Sequence, residues 1–204
     1  ACSCLYSTRH SCQFITITLD FLPNFKQNSS HISITSLRDY ILSYTHSHLF
    51  AFMSRYAEVH AKPDGPGDAR PTALQIVKDE DAEGMLKGEV IVITGTSSGI
   101  GVQTARAVAA TGATLFLTAR NVAKAHSAVA GFFDPSTMAI IEMDQESLAS
   151  VRVAANTILA KTSKIHLLVN NAGIMNIPEL QLTTDGYELQ FGTNHLSHFL
   201  FLSS

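Results

Sequence analysis

A glycine-rich stretch, TGTSSGIG at residues 94–101, lies directly between an apolar run and an alanine-rich run. The apolar run VIVITG (90–95) is rich in β-branched residues and predicts a strand buried on both faces, whereas GVQTARAVAATGA (101–113) predicts a helix. A turn from such a strand into a helix presents unpaired N–H groups and the positive end of the helix dipole to one point. This arrangement is typical of sites that bind the phosphates of a dinucleotide.

The glycines of this stretch have separate physical roles in that interpretation. Gly95 allows a tight turn after the strand, Gly99 lets the backbone approach a pyrophosphate closely, and Gly101 lets the helix pack against the strand. A Gly/Ser-rich turn without a ligand is the alternative. A P-loop is excluded because no Gly-Lys-Ser/Thr follows. The residues expected to surround the phosphates are Thr94, Gly95, Ser97, Ser98, Gly99, Ile100 and Gly101.

Beyond this stretch, apolar runs of strand length alternate with runs of helical period. The further predicted strands and helices are 114–120, 121–132, 138–144, 147–162 and 165–173, in strictly alternating order. Asn121 is the expected N-cap of the helix that follows it, and residues 184–204 predict one long uninterrupted helix. Such alternation gives parallel strands joined by right-handed crossovers, so the expected fold class is α/β, a doubly wound parallel sheet of the Rossmann type.

Composition and charge exclude several classes of protein. With 46% hydrophobic and 15% charged residues, the chain is expected to be globular. A formal net charge of −3 with scattered Lys and Arg offers no clustered basic surface for nucleic acid. No run reaches the roughly 18 to 20 apolar residues that span a bilayer. Cys2, Cys4 and Cys12 do not indicate a disulfide framework, so a reduced, cytoplasmic location is expected, with targeting to an organelle left open.

The chain divides into three parts by composition. Residues 1–52 lack glycine and show no sustained period, so they are interpreted as an irregular extension that is not native, with Met53 as the hypothetical natural start. Residues 53–85 are expected to hold a Pro/Gly-rich linker and a short helix. Residues 86–204 form the expected dinucleotide-binding domain, incomplete at its carboxyl end.

The spacing Thr-Gly-x-x-x-Gly-x-Gly resembles the short-chain dehydrogenase/reductase family, and within it the retinol-dehydrogenase-like members. NNAG at 170–173 closes the fourth predicted strand, Asp144 ends the third, and Asn194 follows NNAG by about twenty residues, as in that family. The resemblance implies that Asp144 contacts the adenine ring, that Asn171 lines the site near the adenosine ribose, and that Gly173 lets the cofactor lie close to the backbone. For Asp144 a helix cap, and for Asn171 a turn, are the alternatives.

Arg120 bears on the choice of cofactor. An acidic residue at the end of the second strand would bind a ribose 2′-hydroxyl and repel a 2′-phosphate. This chain has no carboxylate there, and the guanidinium of Arg120 can pair with a phosphate in bidentate fashion. We therefore expect NADP rather than NAD, with a solvated residue at a helix start as the alternative for Arg120.

The resemblance also implies a catalytic Asn, Ser, Tyr and Lys, of which only Asn194 is matched. A nearby cation must lower the pKa of the catalytic Tyr toward the working pH. No Tyr-x-x-x-Lys occurs in this sequence, and Tyr187 precedes Asn194, which is the wrong order for that family. His195 and His198 lack a third ligand and are interpreted as packing or interface histidines, so no metal site is expected.

Two functions remain open on these grounds. The first is an NADP-dependent oxidoreductase acting on a small alcohol or carbonyl substrate, present as an amino-terminal fragment that is inactive and poorly soluble alone, and a homo-oligomer in its full-length form. The second is a non-catalytic dinucleotide-binding protein that serves as a sensor or scaffold.

Overall fold

The computed structural model describes residues 55–204. Residues 55–72 belong to one compact unit and residues 73–204 to another. The predictions made for residues 1–52 and for Met53, including the Cys2, Cys4 and Cys12 interpretation, lie outside the described residues. Among the helices of residues 55–204, none combines the length and the apolar character needed to cross a membrane.

The smaller unit holds a short helix and a turn fixed by charge. Helix α1 (Ala57–Ala61) precedes the Pro/Gly-rich segment, in which Gly65 has a φ of +103°. The guanidinium of Arg70 donates to both carboxylate oxygens of Asp68, at 2.8 and 3.0 Å, and to the Gly65 carbonyl oxygen at 3.1 Å. These hydrogen bonds hold the pKa of Asp68 well below its usual range.

The larger unit is a parallel sheet of four strands in the order β3-β2-β1-β4, which confirms the predicted α/β fold class. Its strands are β1 (Val90–Thr94), β2 (Thr114–Ala119), β3 (Met138–Glu142) and β4 (Leu167–Val169). The helices between them are α3 (Gly99–Ala110), α4 (Val122–Val129) and α5 (Leu148–Leu159), and α2 (Ala73–Asp79) precedes β1. The side chain of Asn121 accepts the Lys124 N–H at 2.8 Å, so the expected cap of α4 is present.

Apolar side chains of the strands fill two cores, one on each face of the sheet. Ile91, Ile93, Leu115 and Leu117 pack on the face that α3 and α4 cover. On the opposite face, the core comprises Val92, Phe116, Ile141, Met143, Val151, Ala154, Ala155, Ile158 and Phe201. Because successive side chains of a strand point to opposite faces, a run such as IVI must be apolar throughout to be buried on both.

The strand order places the carboxyl ends of β1 and β4 side by side. Thr94 lies opposite Thr118 of β2, and Ile93 lies opposite Val169 of β4. The chain leaves β1 toward β2 and β3 and returns to the other side of β1 as β4. This reversal of strand order creates the crevice in which doubly wound sheets bind their ligands.

The end of the chain differs from the single helix predicted for residues 184–204. Helix α6 (Leu189–Phe191) leads into a five-residue π-helix (Gly192–Leu196) and then into α7 (Ser197–Ser203). The preceding residues form a tight turn instead, in which the Thr183 N–H donates to the Tyr187 carbonyl oxygen at 2.8 Å and Gly186 has a φ of +82°. Polar side chains explain the difference, because they offer the backbone alternatives to the helix.

Glu188 sets the actual start of this helical segment. Its carboxylate accepts the N–H groups of Gln190 and Phe191, at 2.9 and 2.6 Å, and these bonds lower the pKa of Glu188. The helix therefore begins where a side chain satisfies its first N–H groups, five residues later than the pattern predicted.

The contact between α3 and the loop after β1 generates a prediction about Gly101. A Cβ at this position would lie 2.2 Å from the Gly95 carbonyl oxygen and 2.6 Å from Nδ2 of Asn171. Gly101→Ala should therefore lower the free energy of unfolding by about 1–3 kcal/mol, as overpacking does. Gly131→Ala is the matched control, because its Cβ would meet nothing within 4 Å, and it should change stability by less than about 0.5 kcal/mol. Urea unfolding of both variants measures the difference, and equal losses would contradict the packing argument.

Candidate dinucleotide-binding site

The glycine loop leaves β1 through a conformation and a contact that both require glycine. Gly95 has a φ of +73°, and a Cβ there would lie 2.7 Å from Cα of Ala172, in the loop after β4. The N–H groups of Gly95 and Thr96 donate to the Thr118 carbonyl oxygen at 3.0 and 3.1 Å. The start of the loop is thus fixed to both neighbouring strands.

Open space lies over the start of α3, where the phosphates of a dinucleotide are expected. Gly99 has a φ of +64°, and a Cβ there would have no heavy atom within 4 Å. Ser98, the N-cap of α3, makes no side-chain capping hydrogen bond, so its hydroxyl group does not accept from the N–H groups of the first helical turn. Ser98, Gly99 and Ile100 are exposed, and Ser97 is half-buried. The loop therefore fits an anion that would accept from these N–H groups.

Unpartnered polar atoms around the crevice also fit a bound ligand. Oγ1 of Thr118 and Oδ1 of both Asn170 and Asn171 are buried and have no hydrogen-bond partner among the described residues. These residues end β2 and follow β4, the strands on either side of the glycine loop. Buried acceptors without partners are rare in folded proteins, so a polar ligand at this edge would satisfy a requirement of the fold.

The side chain of Asn171 is committed mainly to the protein. Its Nδ2 donates to the carbonyl oxygens of Thr94 and Gly95, at 2.8 and 3.3 Å. Its backbone N–H donates to Oγ1 of Thr94 at 3.0 Å. Asn171 therefore joins the end of β4 to the glycine loop, and Oδ1 is the atom that remains for a cofactor.

The hydroxyl group of Thr94 is the centre of these contacts. Thr94 is fully buried, and its Oγ1 accepts the N–H groups of Asn171 and Ala172 at 3.0 and 2.9 Å. Its own proton can then go to Nε2 of His198, 3.0 Å away. One side chain thus links β1, the loop after β4 and the last helical segment.

His198 is a buried, neutral imidazole in this network. Its Nδ1 lies 2.9 Å from the Asn194 carbonyl oxygen, which can only accept, so Nδ1 carries the proton and Nε2 accepts from Thr94. Nε2 of Gln145 lies 2.9 Å from the same Nε2 of His198, so its N–H shares this one acceptor with the Thr94 hydroxyl group. Burial lowers the pKa of His198, and the nearby His195 lowers it further, against the effect of the Asn194 hydrogen bond.

Asn194 meets the loop after β4. Its Oδ1 accepts the Ile174 N–H at 2.8 Å, and its Nδ2 donates to the Ile174 carbonyl oxygen at 2.7 Å. A Cβ on Gly173 would lie 3.4 Å from Oδ1 of Asn194. Two predicted site residues that are distant in the sequence, Gly173 and Asn194, are thus brought together at the surface of the crevice.

Arg120 and Asp144 lie toward the β2 and β3 side of the site. Arg120, 67% exposed, forms an ion pair with Glu146. Oδ1 of Asp144 accepts the Glu146 N–H at 3.0 Å. The N-cap of α5 is Ser147, whose side chain accepts the Ser150 N–H at 3.3 Å, so the alternative role of Asp144 as the helix cap is wrong. A serine nearer to the helix start takes the cap instead.

The sequence interpretation missed several polar residues around the site, namely Gln145, Glu146 and the hydrogen-bonding role of His198. Histidine within the apolar stretch NHLSHFLF was a usable signal, because a buried imidazole needs polar partners. Phe199 and Leu202 on the same segment are 65% and 53% exposed, whereas Phe201 is in the core. Among residues 55–204, no three His, Cys, Asp or Glu side chains cluster as metal ligands would.

A parallel sheet with this strand order, a glycine loop after β1 and an Asn-Asn-Ala-Gly loop after β4 defines a Rossmann-type dinucleotide-binding fold. The sequence model of the short chain dehydrogenase family matches residues 89–204. The chain belongs to this family, which confirms the resemblance predicted from its motifs.

Curated relatives and a solved structure agree with this assignment. Short-chain dehydrogenase/reductase prx1 of Penicillium roqueforti is 46% identical over 146 residues, which cover 72% of this chain and 43% of that protein. Retinol dehydrogenase 12 of Mus musculus is 42% identical over 118 residues, covering 56% of this chain and 37% of that protein. The structure of a citronellol catabolism dehydrogenase of Pseudomonas aeruginosa PAO1 is 30% identical with a TM-score of 0.50, covering 59% of this chain and 50% of that one. The chain thus spans less than half the length of these curated relatives.

The Thr94 contacts generate a prediction with a control on the neighbouring strand. Thr94→Val removes the acceptor of the half-buried Ala172 N–H and leaves the buried Asn171 N–H with only the Val169 carbonyl oxygen, so the free energy of unfolding should fall by about 1–3 kcal/mol. Thr118→Val changes an equally buried threonine, directly opposite in the sheet, whose Oγ1 has no partner within the described part of the chain. This variant should lose less than about 0.5 kcal/mol. If urea unfolding gives the two variants the same stability, the proposed importance of the Thr94 hydroxyl is wrong.

His198 generates a prediction about pH. The pKa of His198 in the folded state lies below the ordinary value of 6.5. As the pH falls through 6.5, this histidine therefore binds a proton in the unfolded chain while it stays neutral in the folded chain. The contribution of neutral His198 is complete above that pH and is lost below it, by up to about 1.4 kcal/mol per pH unit. His198→Gln should therefore show a shallower loss of stability between pH 7.5 and 5.5. His126→Gln, at an exposed histidine of α4, should keep the original slope, and equal slopes in the two variants would refute the prediction.

Proposed function

We propose that this chain is the cofactor-binding part of an NADP-dependent oxidoreductase that acts on an alcohol/carbonyl pair. The observation that carries the proposal is the open glycine loop at the point where the strand order reverses, with Gly95 held against Ala172 and free space over Gly99. Gly95, Ser97, Ser98 and Ile100 complete the expected phosphate site. Thr94 and Gly101, also expected there from the sequence, are buried and would support the loop from within the protein. Bound NADPH would supply the hydride, and the protein residues would fix where it lies.

The assignment of the remaining cofactor contacts follows the layout of the crevice. Arg120 would pair with the 2′-phosphate, Asp144 would face the adenine ring, and Asn171 would offer Oδ1 near the adenosine ribose. Gly173 would let the cofactor approach the backbone beside Asn194. A mostly exposed guanidinium is well suited to this task, because it is not desolvated beforehand and keeps free donors.

Asn194 is the one residue of the expected catalytic set that this sequence contains. Its side-chain amide is held by both backbone groups of Ile174, which fixes its position without a ligand. The 204 residues contain no Tyr-x-x-x-Lys to act as the proton donor. We therefore expect the chain to bind the dinucleotide but not to reduce carbonyl compounds by itself.

A non-catalytic dinucleotide sensor or scaffold is the second candidate. Cofactor binding does not require a Tyr-x-x-x-Lys, so the glycine loop and the crevice beside it would suit this role as well. The two candidates differ in one measurement, which is carbonyl reduction by the longest natural form of the protein. A small-molecule substrate, a cytoplasmic location and a homo-oligomeric state belong to the first proposal.

Calorimetric titration of the full chain with NADP and with NAD tests the proposal. NADP should bind more tightly, and Arg120→Met should weaken NADP by about tenfold or more while leaving NAD nearly unchanged, because a charge-assisted contact to phosphate is lost. Arg106→Met is the matched control. The guanidinium of Arg106, on α3, lies 5.4 Å from the ring centroid of Phe132, a residue that follows α4. Its loss should change the affinities for NADP and NAD equally. Absence of binding for both dinucleotides would contradict the proposal.

A further inference from the structure

The ion pair between Arg120 and Glu146 concerns the choice between the two cofactors. We propose that Glu146 is a second specificity-determining residue. By pairing with the guanidinium of Arg120, its carboxylate reduces the amount by which the site binds NADP more tightly than NAD. This inference rests on the proposed function, because it concerns the same site.

The pair joins the ends of two neighbouring strands. Arg120 directly follows β2, Glu146 lies in the loop after β3, and Nη1 of Arg120 donates to Oε1 of Glu146. The side chain of Glu146 is 33% exposed and that of Arg120 is 67% exposed. The carboxylate is therefore the more enclosed partner, and the guanidinium is the partner with free donors toward solvent.

Both backbone groups of Glu146 are hydrogen-bonded, so the point from which its side chain extends is fixed. Its N–H donates to Oδ1 of Asp144 at 3.0 Å, and its carbonyl oxygen accepts the Thr184 N–H at 3.0 Å. The neighbouring Leu148 N–H donates to Oδ2 of Asp185 at 2.8 Å, which fastens the same two loops a second time. The position of Glu146 therefore follows from the fold of the β3–α5 loop rather than from a freely moving side chain.

Two physical effects of this carboxylate act in the same direction. First, an Arg–Glu pair has no net charge, so a 2′-phosphate meets a weaker attraction than it would at Arg120 alone, and it must compete with Oε1 for the donors of the guanidinium. Second, a carboxylate near the ribose can accept a hydrogen bond from the 2′-hydroxyl group of NAD. Glu146 thus disfavours NADP and favours NAD, whereas Arg120 favours NADP.

The test compares the ratio of dissociation constants, NAD over NADP, for the wild-type chain and for Glu146→Gln at low ionic strength. The ratio should rise by roughly two- to fivefold in the variant, the size expected for a partly exposed pair. Adenosine 2′,5′-bisphosphate and AMP should show the same change, because they carry only the adenosine end of each cofactor. Raising the salt concentration should reduce the effect, since exposed charges are screened.

Glu83→Gln is the matched control for the loss of one negative charge. Glu83 is exposed and adjoins Gly84, whose N–H donates to the Ala110 carbonyl oxygen at the carboxyl end of α3. That end lies about 18 Å along the helix from the glycine loop. The control should leave the ratio unchanged.

The outcomes separate this inference from the function on which it rests. If the wild-type chain binds neither dinucleotide, the proposed function and this inference both fail. If the wild-type chain binds NADP but Glu146→Gln leaves the ratio unchanged, Glu146 has no part in the choice of cofactor. A lower ratio in Glu146→Gln would also overturn the inference, because it would mean that the carboxylate orients Arg120 for the phosphate.

Discussion

The geometry of the site depends on the hydrogen bonds that the Thr94 hydroxyl group makes to the loop after β4 and to His198. Strand β4 spans only Leu167–Val169, so few ladder hydrogen bonds fix the loop that follows it. Thr94 holds this loop in place of further ladder hydrogen bonds, because its Oγ1 accepts the N–H groups of Asn171 and Ala172. Gly95 packs so closely against this loop that a Cβ on it would lie 2.7 Å from Cα of Ala172, so any shift of the loop would change the shape of the crevice directly.

The polar network extends from Thr94 into the last helical segment through His198. In a π-helix each N–H bonds to the carbonyl oxygen five residues back rather than four, and such segments often occur at functional sites. Here it contains Asn194, whose carbonyl oxygen lies 2.9 Å from Nδ1 of His198 and whose side chain binds Ile174. The imidazole therefore connects the strand end with the backbone that presents the Asn194 amide. A charged imidazole would lose Nε2 as an acceptor, so the network requires the neutral form.

Local pattern was sufficient to predict the four described strands, because each reads as an apolar run and β1 and β2 are buried on both faces. The glycine loop was equally predictable, since its residues follow from backbone geometry alone. The start of the last helix was not, because Glu188 and the Gly186 turn decide it through side-chain bonds that periodicity does not encode. The partners of Arg120 and His198 could not be predicted either, since Glu146 and Gln145 reach them only after the fold brings separate loops together.

The same distinction bears on the proposed choice of cofactor, which depends in that proposal on a pair of residues rather than on one. Arg120 alone, seen at the end of β2, indicates a phosphate-binding role. Its charge is nevertheless shared with Glu146, which the sequence places 26 residues away. The loop that contains Thr184 and Asp185 holds the backbone around that carboxylate, so the charge around Arg120 depends on a segment distant in the sequence. A specificity assignment made from the β2 terminus alone therefore omits half of the local charge.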